Sequence, residues 1–330
     1  MLKKLPGCQQ RITPVSDLII RDPTTRDSGE KGQLNSYRAI GRSIGTIIVG
    51  ALTLPLARYL GDGDLSTGFP VVMGVYSIIG IVLFWLVFKN CHERTSVPAA
   101  ATHKGSIVSD IKKMVTNRYW LIIALNSVVW FARQGVMNGV LIYYVKYVLG
   151  EPQSVYIYIT ILNVANLAGG VLALTLLKRY SSRNSSILMY MLAIVFLALA
   201  YFSGGGQHVY AFGFAFFMAS FMIGFGDPAN LTMLGDVIDY HEWKHKKESQ
   251  GTLYSGYSFA LKFGSAIGAA FVGYFLGLAG YDPEMITPQV KDAITTLLFI
   301  IPIALTVVQI IILYSYRLEK QHPEIVSGSA

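Results

Sequence analysis

Long apolar stretches recur along the chain, and most of the charged residues lie in the polar segments between them. Each stretch is about 20 residues or longer, which is the length that an α-helix needs to cross the hydrocarbon core of a bilayer. Strand-like alternation does not accompany them, so the pattern predicts an all-α integral membrane protein with about eight transmembrane helices and not a barrel. The predicted spans are residues 40–60, 68–88, 119–148, 155–177, 187–203, 209–234, 253–281 and 294–316.

Composition agrees with this interpretation. Hydrophobic residues make up 53% of the 330 positions and charged residues only 14%, whereas a soluble domain is about one quarter charged. The net charge of +8 is concentrated in alternate loops, so membrane topology explains it and a nucleic-acid partner is not needed. The partner that this composition indicates is the lipid bilayer.

The distribution of lysine and arginine predicts the orientation. These residues are frequent before the first span and in the segments 89–118, 178–186 and 240–251, and they are rare in the segments 61–67, 149–154, 204–208 and 282–292. By the positive-inside rule the first group is cytoplasmic, so both termini lie inside the cell membrane. Cys8 and Cys91 then face the reducing side, and no disulfide is expected. No signal peptide is expected before the first span.

A polar segment, residues 89–118, divides the chain unequally. We expect a cytoplasmic N-terminal segment at 1–34, two helices at 35–88, this central cytoplasmic loop, a six-helix block at 119–318 and a cytoplasmic tail at 319–330. Part of the loop, from Ile107 to Val115, has an apolar stripe at helical spacing that could lie on the inner leaflet. Six-helix halves joined by a cytoplasmic loop are typical of secondary transporters.

Lys262 is the most informative single residue, because it is the one charge in the apolar stretch 252–281. A lysine near the middle of a transmembrane helix costs about 2.5–3.5 kcal/mol on the translocon scale, so it indicates a polar cavity or a partner. Ser258 lies one helical turn before it and Tyr257 is adjacent, so both are candidates for the same site. Snorkelling of the lysine to the interface is the simpler alternative.

Two further sets of polar residues are candidates for a functional site. Asn126 and Trp130 share one side of the third span, where an amide could bind a polar ligand and an indole could stack on a ring; helix packing is the simpler explanation for them. Asp236, Asp239 and Glu242 follow at spacings of three on one helix face, near the cytoplasmic end of their span.

Several segments resemble one transporter family. Residues 236–244 (DVIDYHEWK), 251–266 (GTLYSGYSFALKFGSA), 33–41 (QLNSYRAIG) and 278–281 (LAGY) resemble the glycoside-pentoside-hexuronide:cation symporters, the melibiose permease-like family of the major facilitator superfamily. The resemblance covers about residues 30–320. It implies a major facilitator-type bundle and symport of a sugar or glycoside with a monovalent cation, Na⁺ or H⁺.

The resemblance also assigns roles to particular residues. Lys262 and Arg38 match positions that line the family's sugar pocket, although Arg38 could equally be an interfacial anchor. The acidic triplet at 236, 239 and 242 corresponds to a cytoplasmic gate, for which Arg133 is a candidate partner. The family's first four helices, which carry its cation site, have no counterpart here, and residues 1–32 do not resemble them. We therefore expect a truncated form that transports poorly by itself.

Two alternatives belong to other functional classes. His241-Glu242-x-x-His245 matches a zinc-metalloprotease motif, in which two histidines one turn apart bind the metal and the glutamate activates water. Lysines surround this motif and would repel a dication, so we expect neither an enzyme nor a bound metal. The other alternative is a non-transporting membrane partner protein. No P-loop or other cofactor motif is present.

Overall fold

The computed structural model describes residues 28–90, 107–177, 179–204, 209–245 and 250–321. Every regular element within these ranges is a helix. The chain forms two compact units, whose described parts are residues 53–90 and residues 28–52 with 107–321.

Seven helical segments in the described ranges are long and apolar enough to cross a membrane: Leu65–Leu86, Arg118–Val148, Val155–Ala173, Ser182–Ser203, Tyr210–His245, Gln250–Leu278 and Pro288–Gln321. A shorter apolar segment, Ile44–Leu60, lies in the first helix. The predicted all-α membrane fold is confirmed, and the protein crosses the membrane several times.

The described residues form twelve α-helices. They are α1 (Ser28–Leu60), α2 (Leu65–Asn90), α3 (Ile107–Thr116), α4 (Arg118–Tyr143), α5 (Val155–Leu176), α6 (Ser182–Ser203), α7 (Val209–Gly224), α8 (Gly226–His245), α9 (Gln250–Leu278), α10 (Pro288–Thr295), α11 (Ile301–Tyr314) and α12 (Leu318–Gln321). Single π-helical turns continue α4 over Tyr144–Val148 and join α10 to α11 over Thr296–Ile300.

The smaller unit is a pair of apolar helices joined by a tight turn. Asp64 begins α2 and accepts hydrogen bonds from the backbone N–H and the hydroxyl of Ser66, both at 2.9 Å. These bonds lower the pKa of the Asp64 carboxyl from its ordinary value of 3.8, because they favour the charged form. Ala57 is fully buried against Gly68, where a larger residue would meet the Ala57 backbone.

The larger unit has two main apolar clusters along its helices. One contains aromatic residues from α7 and both π-helical turns, such as Tyr144, Phe212 and Phe299. The other contains Trp120 near the start of α4 and Tyr316 near the end of the chain.

Close packing of α4 against α9 depends on two glycines. A Cβ added at Gly268 would lie 2.9 Å from the carbonyl carbon of Ala132, and one at Gly264 would lie 3.0 Å from the Cα of Val128. Small residues of this kind let the backbones of membrane helices approach each other. Gly273 and Gly277 have the same four-residue spacing, but they do not form a close contact. No described atom lies within 4 Å of a Cβ added at either glycine.

Some helices extend beyond the predicted apolar spans. Helix α6 begins at Ser182 and not at residue 187, because Ser181 caps it by accepting a hydrogen bond from the backbone N–H of Asn184. Helix α8 continues to His245, eleven residues past the predicted end at 234. Hydropathy marks only the apolar part of a helix, whereas caps and polar turns extend it into the interface.

Candidate functional site

A polar cavity of about 360 Å³ lies within the larger unit. Residues of α1, α4, α5, α7, α8 and α9 line it, and its size is within the range typical of small-molecule sites. Its polar side chains are carboxamides, hydroxyls and one arginine–aspartate ion pair. A lining of this composition suits a ligand that carries several hydroxyl groups.

One ion pair lies at the cavity. The Arg42 guanidinium of α1 donates to the carboxylate of Asp227 in α8. Asp227 is buried and Arg42 is about half exposed, and the Arg42 guanidinium also lies 5.9 Å from the ring centroid of Phe131. Arg42 therefore compensates a buried carboxylate, which would be costly at this position without a partner.

A break in the helix backbone positions Asp227. Helix α7 ends at Gly224 and α8 begins at Gly226, so the turn between them lies directly before Asp227 and Pro228. Proline has no N–H to donate to the preceding turn, which permits the break. Gly224 is needed there, because a Cβ would lie 2.8 Å from the carbonyl carbon of Asn166. Both Asp227 and Pro228 line the cavity.

Four carboxamides from α4 and α5 face the same space. Each of Asn138, Asn163 and Asn166 donates its amide N–H to the backbone carbonyl one turn earlier, at 2.7–2.9 Å, so its orientation is fixed. The carbonyl oxygens of Gln134 and Asn166 are buried and have no hydrogen-bond partner among the described residues. A buried acceptor without a donor costs about 1–3 kcal/mol, so a ligand hydroxyl would be favourable at either oxygen.

An aromatic wall and a hydroxyl complete the cavity. Trp130 and Phe131 line it from α4, and their rings contact each other edge to face with centroids 4.7 Å apart. The Trp130 indole donates to the Ile223 carbonyl at 3.3 Å, which holds the ring in place. Ser265 of α9 lies opposite Gly135, on the close contact between α4 and α9.

A buried polar network supports α4 from behind. Arg133 is fully buried, donates to the Thr306 hydroxyl of α11 at 2.8 Å and lies 5.3 Å from the ring centroid of Tyr190. Asn126 is also fully buried and donates to Asn230 of α8 at 2.6 Å. The network therefore fixes the helices whose other residues line the cavity.

These positions leave part of the predicted site untested. Trp130 lines the cavity, whereas Asn126 and Arg133 belong to the network behind it. Lys262 and Ser258 are exposed on α9, and Tyr257 is buried. The predicted roles of these residues in binding, and of Arg133 at a gate, stay predictions.

The remaining predicted residues lie in α1 and α8. Arg38 falls in α1, but its side chain is outside the described residues. On α8, Asp236 is buried, and Asp239 and Glu242 are half-buried. Each of the three acids makes an interaction within the chain, and their role in gating stays a prediction.

The histidines of the zinc-like motif have a structural environment. Asn117 caps α4 by accepting from the Tyr119 N–H at 3.0 Å, and its amide nitrogen lies 3.1 Å from Nδ1 of His241. The His241 ring, which is buried, lies 4.5 Å from the ring of His245 between centroids. Over the ranges that the structure describes, no group of three or more His, Cys, Asp or Glu side chains is arranged to hold a metal ion.

Comparison with known proteins assigns the family. A family model described as MFS/sugar transport protein matches residues 22–320. The chain belongs to this transporter family. Membership of the family confirms the expectation that the chain is not an enzyme, and it confirms the resemblance to sugar symporters of the major facilitator type.

Individual relatives agree with the assignment. The chain is 26% identical over 307 residues to the uncharacterized symporter YjmB of Bacillus subtilis. This alignment covers 92% of this chain and 66% of the relative. It is 28% identical over 308 residues to the isoprimeverose transporter of Lactiplantibacillus pentosus, with 92% and 64% covered. The chain thus spans about two thirds of the length of these relatives.

A solved structure supports the fold. The crystal structure of the major facilitator superfamily transporter FucP in the outward conformation matches with a TM-score of 0.55 at 16% identity, and the match covers 86% of this chain and 68% of that chain. This likeness shows the fold alone.

Sequence reasoning missed much of the cavity. Asn138 was not predicted as a binding residue, and Ser265 was noticed only as part of the segment 251–266. The available signal was helical spacing, since Gln134 and Asn138 lie one turn apart on α4.

Proposed function

We propose that the protein is a secondary active transporter, or part of one, that carries a sugar or glycoside by cation-coupled symport across the cell membrane. The cavity described above would bind the sugar. The observation that carries this proposal is the pair of buried, unpartnered carbonyl oxygens of Gln134 and Asn166 beside Trp130. Sugar hydroxyls would donate to these oxygens and the ring face would pack on the indole.

The names of relatives support this substrate class. They include an isoprimeverose transporter and, in Escherichia coli, a putative glycoside/cation symporter and a putative sulfoquinovose importer. We infer the same broad class of ligand for this chain, because its cavity offers amides, hydroxyls and one cation.

Coupling to Na⁺ or H⁺ is part of the proposal. Asp227 is the carboxylate at the cavity, and Arg42 neutralises it. A proton or a Na⁺ ion at Asp227 would compete with Arg42 and would release the guanidinium toward a sugar hydroxyl. Sugar affinity should then depend on Na⁺ or pH in the unaltered chain and should lose that dependence in Asp227→Asn.

We also propose that both termini are cytoplasmic, from the lysine and arginine distribution. The turn between α1 and α2 would then face outward. In a chain whose Cys8 and Cys91 are replaced by serine, a cysteine introduced at Ser66 should react with a membrane-impermeant maleimide in intact cells. Labelling that occurs only after the cells are opened would reverse the orientation.

Protection of a cysteine from labelling tests sugar binding in the cavity. In the same cysteine-free background, Ser265→Cys should react with a maleimide, and a bound glycoside should slow that reaction at least several-fold. Ser255→Cys on the same helix is the matched control, because Ser255 is exposed and lies outside the cavity. Equal protection at both positions, or at neither across a panel of glycosides, would contradict the proposal.

A further inference from the structure

A second cavity, of about 390 Å³, is distinct from the sugar site. It lies where α3, the start of α4 and the end of α8 meet, and nine residues line it. Five of the nine carry basic side chains: Lys112, Lys113, Arg118, Lys244 and His245. Proposed sugar transport uses none of these residues.

The charge of this basic cavity is unbalanced within its own lining. Four of its side chains are lysine or arginine, and no carboxylate belongs to the lining among the described residues. Asp239 and Glu242 lie on the same helix, α8, but not in the cavity wall. Cations gathered in one concave site repel each other and attract an anion, so the cavity is suited to an anionic ligand.

The remaining lining is also suited to a phosphate-type group. Tyr119 and Tyr240 pack edge to face with ring centroids 5.2 Å apart, and the Lys244 ammonium lies 5.7 Å from the Tyr240 ring centroid. Asn117 and the first turn of α4 form another part of the wall. The N-terminus of a helix adds partial positive charge, which favours an anion further.

Helix α3 places this cavity at the membrane interface. Met114 is buried, and it fills the space beside Gly256, where a Cβ would lie 2.8 Å from its sulfur. Ile111 and Val115, one turn apart, are 46% and 48% exposed on the same helix. The helix is therefore fixed to the bundle by one side and presents apolar residues on another, directly before the span that starts at Arg118. This arrangement is typical of helices that lie in the interfacial region.

We propose that the basic cavity binds the phosphate-bearing headgroup of an anionic phospholipid. Its phosphate would lie among Lys112, Lys113 and Lys244, and its acyl chains would pass along Ile111 and Val115. The exposed apolar residues favour a lipid over a soluble phosphate, because only a lipid uses both the cations and the apolar side of α3. The proposal does not depend on sugar transport.

Native mass spectrometry of the purified full chain tests the proposal, with phosphatidylglycerol and phosphatidylcholine as the probes. We expect retention of phosphatidylglycerol and little of phosphatidylcholine. Each lysine beside an anionic headgroup contributes about fivefold in affinity, so Lys112→Gln with Lys244→Gln should weaken binding about 25-fold. Lys112→Arg with Lys244→Arg keeps the charge and should keep most of the affinity.

The matched control is Lys146→Gln with Lys291→Gln, which removes two exposed lysines outside the cavity. Its affinity for phosphatidylglycerol should stay within about twofold of the unaltered chain. Equal losses in the two glutamine pairs, or equal binding of the two lipids, would overturn the proposal. Displacement of phosphatidylglycerol by millimolar inorganic phosphate would also overturn it, since the site would then select phosphate without the lipid. Weaker binding in Ile111→Ser would support the lipid assignment, and unchanged binding there would oppose it.

Discussion

The α4–α9 contact should make Gly268→Ala destabilising, although alanine usually favours a helix. The new Cβ would lie 2.9 Å from the Ala132 carbonyl carbon and 3.0 Å from its Cα, whereas carbon atoms pack best at about 3.5–4.0 Å. The obstacle is backbone, so it cannot rotate away, and the helices must separate by roughly 0.5–1 Å. A gap of that size forfeits about a quarter to a half of each affected contact's dispersion energy.

The net magnitude follows from two opposing effects. Overpacking of this kind costs about 1–3 kcal/mol, and we take the upper part of that range because backbone meets backbone. Alanine regains about 1 kcal/mol of helix propensity, which leaves a loss of about 2 kcal/mol. For a chain of 330 residues that corresponds to a fall in Tm of roughly 3 °C, at about 2.1 cal/mol/K of unfolding entropy per residue. Sugar affinity should fall as well, because Ser265 and Gly135 lie on this contact and line the cavity.

Thermal unfolding of the purified chain in detergent, followed by tryptophan fluorescence, measures the effect. Gly273→Ala is the control on the same helix, since no described atom lies within 4 Å of a Cβ there. It should leave Tm unchanged or raise it. Equal Tm values for Gly268→Ala and Gly273→Ala would refute the argument that close packing of α4 on α9 requires the glycine.

Three other changes give separate tests. In a chain completed with the family's missing first helices, Lys262→Leu should ease membrane insertion by about 2.5–3.5 kcal/mol and yet lower sugar uptake, so expression should hold while transport falls; normal uptake would remove Lys262 from the site. His241→Ala should cost about 1 kcal/mol in stability through the lost contact with the Asn117 cap, and a chelator should leave the unaltered chain's Tm unchanged. The pKa of the Asp64 carboxyl is lower in the folded chain than in the unfolded chain. The bonds to Ser66 therefore stabilise the turn fully at a pH above the unfolded pKa, and this stabilisation is lost as the pH falls through the folded pKa. Acid titration of Tm should therefore show a fall below about pH 4 that Asp64→Asn lacks.

Features of the fold that depend on local sequence could be predicted well. Hydropathy located the spans, because each must hide its backbone from lipid over a fixed thickness. The helix break directly before Asp227-Pro228 also has a local cause, since proline removes a backbone donor wherever it falls inside a helix. Ends of helices were less predictable: α6 starts at a cap formed by Ser181 and not at the first apolar residue.

The composition of the cavity could not be predicted, because it depends on contacts between distant residues. Arg42 and Asp227 are 185 positions apart, and only the packing of α1 beside α8 brings them together. Arg133 is the converse case. The resemblance suggested a partner for it among the acids of α8, but the structure places Arg133 beside Thr306 of α11 and Tyr190 of α6.

Glycine spacing shows the same limitation. Gly264 and Gly268 pack against α4, whereas Gly273 and Gly277 have the same spacing and face no described neighbour. A spacing of four residues indicates that two glycines share a helix face, but it does not predict which helix, if any, packs against that face.

Direct binding of sugars to the purified chain is the measurement that tests the central claim. Isothermal titration with a panel of mono- and disaccharides should identify at least one that binds. Gln134→Met with Asn166→Leu removes the two unpartnered oxygens at nearly constant volume, so it should abolish binding of that sugar without lowering Tm. Asn184→Leu, an amide change outside the cavity, should leave the affinity unchanged. Absence of binding across the panel, or equal affinity in the double variant and the unaltered chain, would contradict the assignment of this cavity as a sugar site.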